Sequence, residues 1–279
     1  MENTVYSEQT TGLKRDTTDK YYTSNETVEL CMSNIQNHIQ IGSEDICIEP
    51  SAGDGSFINA IKSVFTHYRF YDLEPAHSEI NKQDYLSFEF ERPPQGAVHV
   101  IGNPPFGRQS SLAIKFIKKT TEYSDSVSFI LPKSFKKDSM KKHFPLNFHL
   151  VYECDLPENS FTVNNTPYDV PCVFQIWIKR DTLRVVTPKP KEQGFMFVKK
   201  DEEPDISVRR VGVYAGKIDT DTITKSVQSH YFIKFDTKLE EHTYKLLSEI
   251  EYASKSDTVG PRSISKPDVI TEFNKVLNL

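Results

Sequence analysis

No long apolar run occurs anywhere in this sequence of 279 residues. The most apolar stretch, Val170 to Ile178, is interrupted by Pro171 and Gln175. It falls well short of the roughly 18 residues that a membrane-spanning helix needs. The first 19 residues are polar and carry neither the apolar stretch of a signal peptide nor a lipid-anchor motif. Cysteine is scarce too. Cys31, Cys47, Cys154 and Cys172 form no C-x-x-C pair and have no histidine at metal-ligand spacing, so neither a disulfide scaffold nor a zinc site is expected. There is no excess of positive charge: Lys and Arg total 34 against 39 Asp and Glu, a formal net charge of -5. That balance argues against a surface that grips polyanions all over. Sequence repeats and low-complexity tracts are also missing. What remains is the expectation of a soluble, intracellular protein of the cytoplasm or nucleus, with reduced thiols, no metal and no membrane partner.

The hydrophobic pattern alternates between two periods. Val28, Cys31, Met32, Ile35 and Ile39 recur at helical spacing, and Thr23 with Glu26 has the form of a capping box at the start of that helix. Asp45-Ile-Cys-Ile-Glu49 reads as a buried strand that stops at the tight turn Pro50-Ser-Ala-Gly-Asp-Gly55. A second helix carries Phe57, Ile61, Val64 and Phe65 on one face. Strands follow at Tyr68 to Tyr71, Ala97 to Ile101, Val127 to Leu131, Leu150 to Tyr152 and Cys172 to Ile178, with a helix at Leu112 to Thr120. Strands alternating with helices point to a mostly parallel sheet covered on both faces, with ligands at the carboxyl ends of the strands.

The texture changes after Arg180. Thr187-Pro-Lys-Pro-Lys191 reads as a linker. Beyond it come short strands at Phe195 to Val198, Ile206 to Tyr214 and His230 to Phe235, then a helix from Leu239 to Ile250, a loop from Gly260 to Pro267 and a last helix. The expected organisation is a flexible N-terminus at 1–18, a main domain at 19–185 and a small α+β appendage at 186–279 for substrate recognition.

Two constellations carry chemistry. Glu49-Pro-Ser-Ala-Gly-Asp-Gly55 lies between a strand and a helix, and Asp72 follows at a strand end, about 20 residues on, the distance of a ribose-binding acid. The form is not G-x-G-x-x-G, and Glu49 is a carboxylate at a buried strand end, costly unless paired. A ligand bearing an amino group and a sulfonium would make that acid sensible. The second constellation is Asn103-Pro-Pro-Phe106 after a strand. An exocyclic amino group on adenine is a poor nucleophile, and its N–H protons must be accepted while the nitrogen is held in line. The Asn103 side-chain oxygen and the Pro104 carbonyl can accept them. Pro105 stiffens the turn, and Phe106 offers a face for base stacking.

Together these segments resemble the class I S-adenosylmethionine-dependent methyltransferases over residues 15 to 182. Glu49 to Gly55 is similar to their first motif, Asp72-Leu-Glu-Pro75 to the second, Asp84-Tyr-Leu86 to the third and Asn103 to Phe106 to the amino-methyltransferase signature. Tyr21-Tyr-Thr23 resembles the motif that precedes motif I in the gamma arrangement. The resemblance implies a Rossmann-like seven-stranded methyltransferase sheet with helices on both faces and S-adenosylmethionine as cofactor. It implies that Tyr22, Thr23, Glu49, Ser51, Gly53, Asp54, Gly55, Asp72, Leu73, Asp84 and Tyr85 hold that cofactor, and that Asn103, Pro104, Pro105 and Phe106 are catalytic. Phe161 matches an aromatic that covers the target base, with core packing as the other reading and Tyr168 as an alternative. For Thr23 the capping role competes, and for Tyr22 plain packing.

The implied reaction is methylation of the adenine amino group in DNA, which the gamma order favours over RNA. An RNA adenine methyltransferase, a protein-glutamine methyltransferase and a non-catalytic cofactor- or nucleic-acid-binding subunit are the alternatives. Phe106 counts against the glutamine enzyme, where tyrosine is commoner, and intact Asn103, Asp72 and Gly53 show no decay. A partner subunit is not indicated. Candidate nucleic-acid contacts are Lys136, Lys137 and Lys141 within the basic run Lys133 to His143, with Arg209, Arg210, Lys217 and Arg262 in the appendage.

Overall fold

A computed structural model of the protein describes residues 21–163, 166–186 and 188–278. The expected flexible N-terminus at 1–18 lies outside the described residues, as does Thr187 in the expected linker. The chain divides into two compact units, one running to Val185 and the other beginning at Val186.

The first unit contains β1 (Tyr22–Thr23), α1 (Asn25–His38), β2 (Ile46–Glu49), α2 (Ile58–Lys62), β3 (His67–Asp72), β4 (Asn81–Lys82), β5 (Val98–Gly102), α3 (Ser111–Thr121), β6 (Ser126–Pro132), α4 (Asp138–Lys141), β7 (Phe148–Asp155), β8 (Phe161–Val163), β9 (Thr166–Tyr168) and β10 (Cys172–Lys179). Seven of these strands form one sheet in the order β4-β3-β2-β5-β6-β10-β7. The neighbours from β4 through β6 are parallel, and β10 runs antiparallel between β6 and β7. Every residue of β2, β5 and β6 is buried, as expected of parallel strands covered on both faces, and their polar members Glu49, His99, Ser126 and Ser128 lie inside with the rest.

Successive strand residues point to opposite faces. Ile46, Ile48, Val98 and Val100 join Ala113, Phe116 and Ile117 of α3 in one core cluster. His99, of the other parity, meets Phe65 beyond α2, ring centre to ring centre at 5.5 Å. The sheet is therefore covered on both faces, as the alternating pattern implies. The expected apolar stripe of α1 is buried throughout, from Val28 to Ile39.

One expectation is corrected at the start of α1. Its N-cap is Ser24, whose side chain accepts from the Thr27 amide at 3.3 Å, so Thr23 is not the cap. Thr23 instead belongs to β1, which pairs with β8 opposite Phe161 in a small sheet ordered β1-β8-β9. Two adjacent hydroxyls compete for the cap, and strand pairing with a distant segment takes Thr23 out of the competition.

The second unit has β11 (Phe195–Val198), β12 (Ile206–Arg209), β13 (Ile218–Asp219), β14 (His230–Phe235), α5 (Glu241–Ser248) and α6 (Lys266–Leu277). Its antiparallel sheet, ordered β11-β14-β12-β13, shares a core with the helices through Phe195, Val208, Ile233, Leu247 and Phe273. The strand expected to reach Tyr214 ends at Arg209, because Gly212 turns the chain at φ +95° and Val211 makes only an isolated bridge to Ser263. The loop expected to run through Pro267 ends sooner, since Ser265 and Asp268 form a capping box and Pro267 enters the first turn of α6.

The amino ends of the central strands are tied by one buried carboxylate. Asp45 accepts from the Gly42 amide at 2.8 Å, from the Ala97 amide at 2.7 Å and from His99 Nε2 at 3.1 Å, while His99 Nδ1 lies 2.7 Å from Ser126 Oγ. Burial raises the Asp45 pKa, but these donors outweigh it and hold the carboxyl below its ordinary range. Its contribution is thus complete above the unfolded carboxyl pKa and is lost as pH falls through the lower folded value. Asp45→Asn, which turns an amide donor toward these donors, should cost about 2–3 kcal/mol at neutral pH. Urea unfolding should show that deficit narrowing below about pH 4.

Candidate active site

In the order of the sheet, the chain leaves β2 for β3 on one side and returns to β5 on the other. The carboxyl ends of these three strands therefore border the crevice where an open α/β sheet binds ligands. Glu49 ends β2, Asp72 ends β3, and Asn103 follows β5. A cleft of about 410 Å³ lies here. Of the residues singled out in the sequence, Tyr22, Ser51, Gly53, Asp72, Leu73, Asp84, Tyr85, Asn103 and Pro105 line it. A recess of about 30 Å³ is lined by Thr23, Glu49 and Asp54 together with Tyr22, Ser51, Gly53 and Asn103.

The turn after β2 is shaped by its glycines and braced by Asp72. Gly53 sits at φ +56°, and a Cβ there would come within 3.2 Å of the Tyr22 ring. Its amide donates to Asp72 Oδ2 at 2.8 Å, while Asp72 Oδ1 accepts from the Glu74 amide at 2.8 Å. Asp72 thus holds the turn with one oxygen and its own loop with the other, and it still lines the cleft. Gly55, at φ +88°, serves the turn and lines neither space. Asp84 caps a short 3-10 turn by accepting from the Leu86 amide at 3.0 Å. The Tyr85 hydroxyl points away into a buried network with Thr120 and Tyr123, and burial pushes its pKa up to about 12.

Glu49 is the electrostatic anomaly. It is only 2% exposed, and its Oε2 has no hydrogen-bond partner. Burial, then the negative charges of Asp54 and Asp72, push its pKa well above the usual carboxylate range. Above it, Gly102 leaves no spare room, since a Cβ there would approach Glu49 Cγ to 3.3 Å. A carboxylate so placed is stable in ionised form only beside a cation or several donors.

Asn103 is fixed from the opposite side. Its Nδ2 donates to the Tyr21 carbonyl and to Thr23 Oγ1, each at 3.3 Å. A carbonyl can only accept, so the amide nitrogen must face it, and Oδ1 is left as an acceptor. The Asn103 backbone carbonyl accepts from Ser51 Oγ at 3.2 Å. Thr23 therefore meets Asn103, which the capping reading did not anticipate.

Phe106 and Pro104 are buried and do not line the cleft. The Phe106 carbonyl accepts from the Leu112 and Ala113 amides at the start of α3, and Leu112 and Phe116 of that helix do line the cleft. Sequence reasoning passed over this pair, whose i, i+4 spacing just past the Asn-Pro-Pro-Phe run was the available signal. Phe161 is wholly buried and meets Tyr21 edge-on at 6.4 Å, whereas Tyr168, part exposed, stacks on Tyr21 at 5.4 Å. The basic run is largely braced: Lys133 and Lys136 pair with Asp155 at 3.2 and 3.0 Å, and Lys141 with Glu153 at 3.1 Å. Arg209 and Arg210 belong to the second unit, where Arg209 Nε donates to the Val211 carbonyl at 3.0 Å.

The raised Glu49 pKa has a consequence for stability with a definite sign. The folded state binds the proton more tightly than the unfolded state, so Glu49 costs stability increasingly as pH rises above the unfolded carboxyl pKa. Glu49→Gln should stabilise the ligand-free protein by about 1–3 kcal/mol at neutral pH. Thermal unfolding should show this advantage shrinking toward about pH 4.

Residues 59–182 match the family described as the EDM2 methyltransferase-like domain, a span that includes Asp72, Asp84 and Asn103 but begins after Glu49. Protein ENHANCED DOWNY MILDEW 2 of Arabidopsis thaliana is 32% identical over 84 residues, which cover 28% of this chain and 6% of that protein. The match thus spans a small part of the plant protein's length. Among solved structures, a Pyrococcus horikoshii protein described as a candidate RNA methyltransferase is 15% identical, with 61% of this chain and 93% of that chain covered at a TM-score of 0.46. A dimethyladenosine transferase from Plasmodium falciparum is 16% identical over 57% of this chain and 64% of that chain, at a TM-score of 0.41. The first unit thus has a Rossmann-like seven-stranded mixed sheet with helices on both faces, and residues 59–182 within it are similar to a methyltransferase-like domain.

Proposed function

We propose that this protein transfers a methyl group from S-adenosylmethionine to the exocyclic amino group of adenine in a nucleic acid. The observation that carries the reading is Asn103: its amide nitrogen is held by Tyr21 and Thr23, and its Oδ1 is left as an acceptor beside the recess that holds Glu49. The cofactor, when bound, supplies an electrophilic methyl on a sulfonium. Glu49 fits its ammonium group, since a buried carboxylate oxygen without a partner suits a cationic donor. The turn at Gly53 would hold the rest of the methionine part, Asp72 the ribose, and Asp84 with Tyr85 the cofactor's adenine.

On the substrate side, Asn103 Oδ1 accepts one amino proton and turns the nitrogen's lone pair out of conjugation, while the Pro104 carbonyl, on a buried residue that does not line the cleft, could take the second proton only if the turn presents it. A bound cofactor would supply its methyl carbon to that nitrogen, the sulfur would keep the pair of the carbon–sulfur bond, and one N–H proton would pass to solvent. Because Phe106 is buried, Pro105 and the Tyr21–Tyr168 stack are the better placed flat surfaces for the target base. In a duplex the adenine must leave the stack to reach them. The order of the motifs favours DNA over RNA.

Incubation with methyl-labelled cofactor and separate pools of DNA, RNA and protein tests the reading. Label should enter adenine of nucleic acid, whereas label in protein glutamine, or none at all, contradicts the assignment. Asn103→Ala should lower the single-turnover rate by about 10²–10³. Thr23→Val, which removes one of the two acceptors that orient Asn103, should lower that rate by about five- to tenfold, the worth of one hydrogen bond. Thr23→Ser should restore it, and cofactor affinity measured by calorimetry should stay within about threefold in both Thr23 variants.

A further inference from the structure

The second unit has a cleft of its own, of about 830 Å³, at the ends of β11 and β14. Four cations line it: Lys199, Lys200, Arg210 and Lys266, against the single carboxylate of Asp201. Two of them sit over aromatic rings of the same cleft. Lys266 Nζ lies 4.4 Å from the centre of the Phe197 ring, and the Arg210 guanidinium lies 5.7 Å from that of Tyr231. The two rings meet edge-on at 5.6 Å. Ile223 and Val227 add an exposed apolar wall, 83% and 63% accessible.

Among the described residues these cations have no acidic partner, in contrast to a group of lysines that the fold neutralises. Lys133, Lys136 and Lys141 of the first unit are each ion-paired, and so are Lys225, Lys255 and Lys275 of the second. Among the described residues, none of Lys199, Lys200, Arg210 and Lys266 makes an ion pair, and the Lys200 ammonium donates only to the Lys225 carbonyl, at 2.7 Å. In a chain of net charge -5, a cleft with a local excess of three positive charges marks a place for an anion. Half-buried aromatic rings and an apolar wall lining the same space suit an anion that carries flat apolar groups.

We infer that this cleft binds single-stranded nucleic acid, its phosphates against Lys199, Lys200, Arg210 and Lys266 and an unstacked base against Phe197 and Tyr231. The choice of ligand rests on the nucleic-acid reading above, but the site does not depend on adenine capture at Asn103. A recessed cleft with ring edges favours a strand whose bases are free over a duplex, whose bases are stacked inside. Sequence reasoning had pointed to Arg210 alone among the four, because the others come from separate segments that the antiparallel sheet and α6 bring together.

Fluorescence anisotropy of the full chain with a labelled oligothymidylate tests the proposal without offering an adenine to the methyl-transfer site. Lys199→Gln/Lys266→Gln should weaken binding at least about fivefold and flatten the log–log salt slope by about 1.4, from two lost phosphate contacts on a single strand. Lys255→Gln/Lys275→Gln, an equal change in charge at ion-paired lysines of the same unit, should shift affinity by less than twofold. Equal losses in both double variants, an unchanged salt slope in the first, or binding of an acidic peptide in place of the oligonucleotide would overturn the inference. Binding that behaves as expected in a protein that methylates nothing would leave this inference standing and refute only the reading of the first cleft.

Discussion

A single buried carboxylate, Glu49, sets the terms for the first unit. It stands at the end of β2, next to the middle strand of the sheet, almost wholly shielded from water, with one oxygen unpartnered, and burial and two further acids push its pKa up. Such a group is a liability for folding, and a chain under no other demand would place an apolar residue there. Its neighbours are arranged around it. Gly102 has no room for a side chain against it, Gly53 turns the backbone close to Tyr22, and Asp72 ties that turn to the next strand. The same parallel strands that bury Glu49 are anchored at their far ends by Asp45, so the cost at one end of the sheet is borne by a well-satisfied network at the other.

The second constraint is the orientation of Asn103. An asparagine beside a cleft can present either end of its amide, and the two ends do opposite chemistry. Here the choice is made by a carbonyl, that of Tyr21, and by the Thr23 hydroxyl. Both partners come from the segment before α1, which is held in place by pairing with β8. That segment joins the first motif to the Asn-Pro-Pro-Phe turn and brings in Tyr21, on which Tyr168 stacks. The methyl-transfer chemistry proposed for Asn103 thus depends on residues that precede the sheet in sequence.

Much of this was legible in the sequence because strong local signals agree with the fold. The central strands are short segments rich in apolar residues, the glycine turn follows a strand and precedes a helix, and Asp72 falls at the end of the next strand. What could not be read depends on pairings between distant segments. Thr23 carries the pattern of a cap, and only its partnership with Phe161 across β1 and β8 gives that duty to Ser24. Phe106 reads as an exposed stacking surface after a Pro-Pro turn, yet α3 folds back onto that turn and encloses it. The basic run reads as free charge until β7 is placed next to β10, which brings Asp155 and Glu153 within reach of it. The unpaired cations of the second unit were hidden for the converse reason, being scattered over 68 positions from Lys199 to Lys266.

The central claim is that Glu49 is kept for a cationic ligand. Isothermal calorimetry with S-adenosylhomocysteine, repeated in buffers of different ionisation enthalpy over about pH 5 to 8, tests it most directly. Burial holds the Glu49 carboxyl above its ordinary pKa range, and an ammonium group binding beside it favours the ionised form. Binding should therefore release a proton from the wild-type protein, and the release should vanish in Glu49→Gln. Proton release of equal size in both proteins, or binding without any proton exchange across that range, would contradict the account.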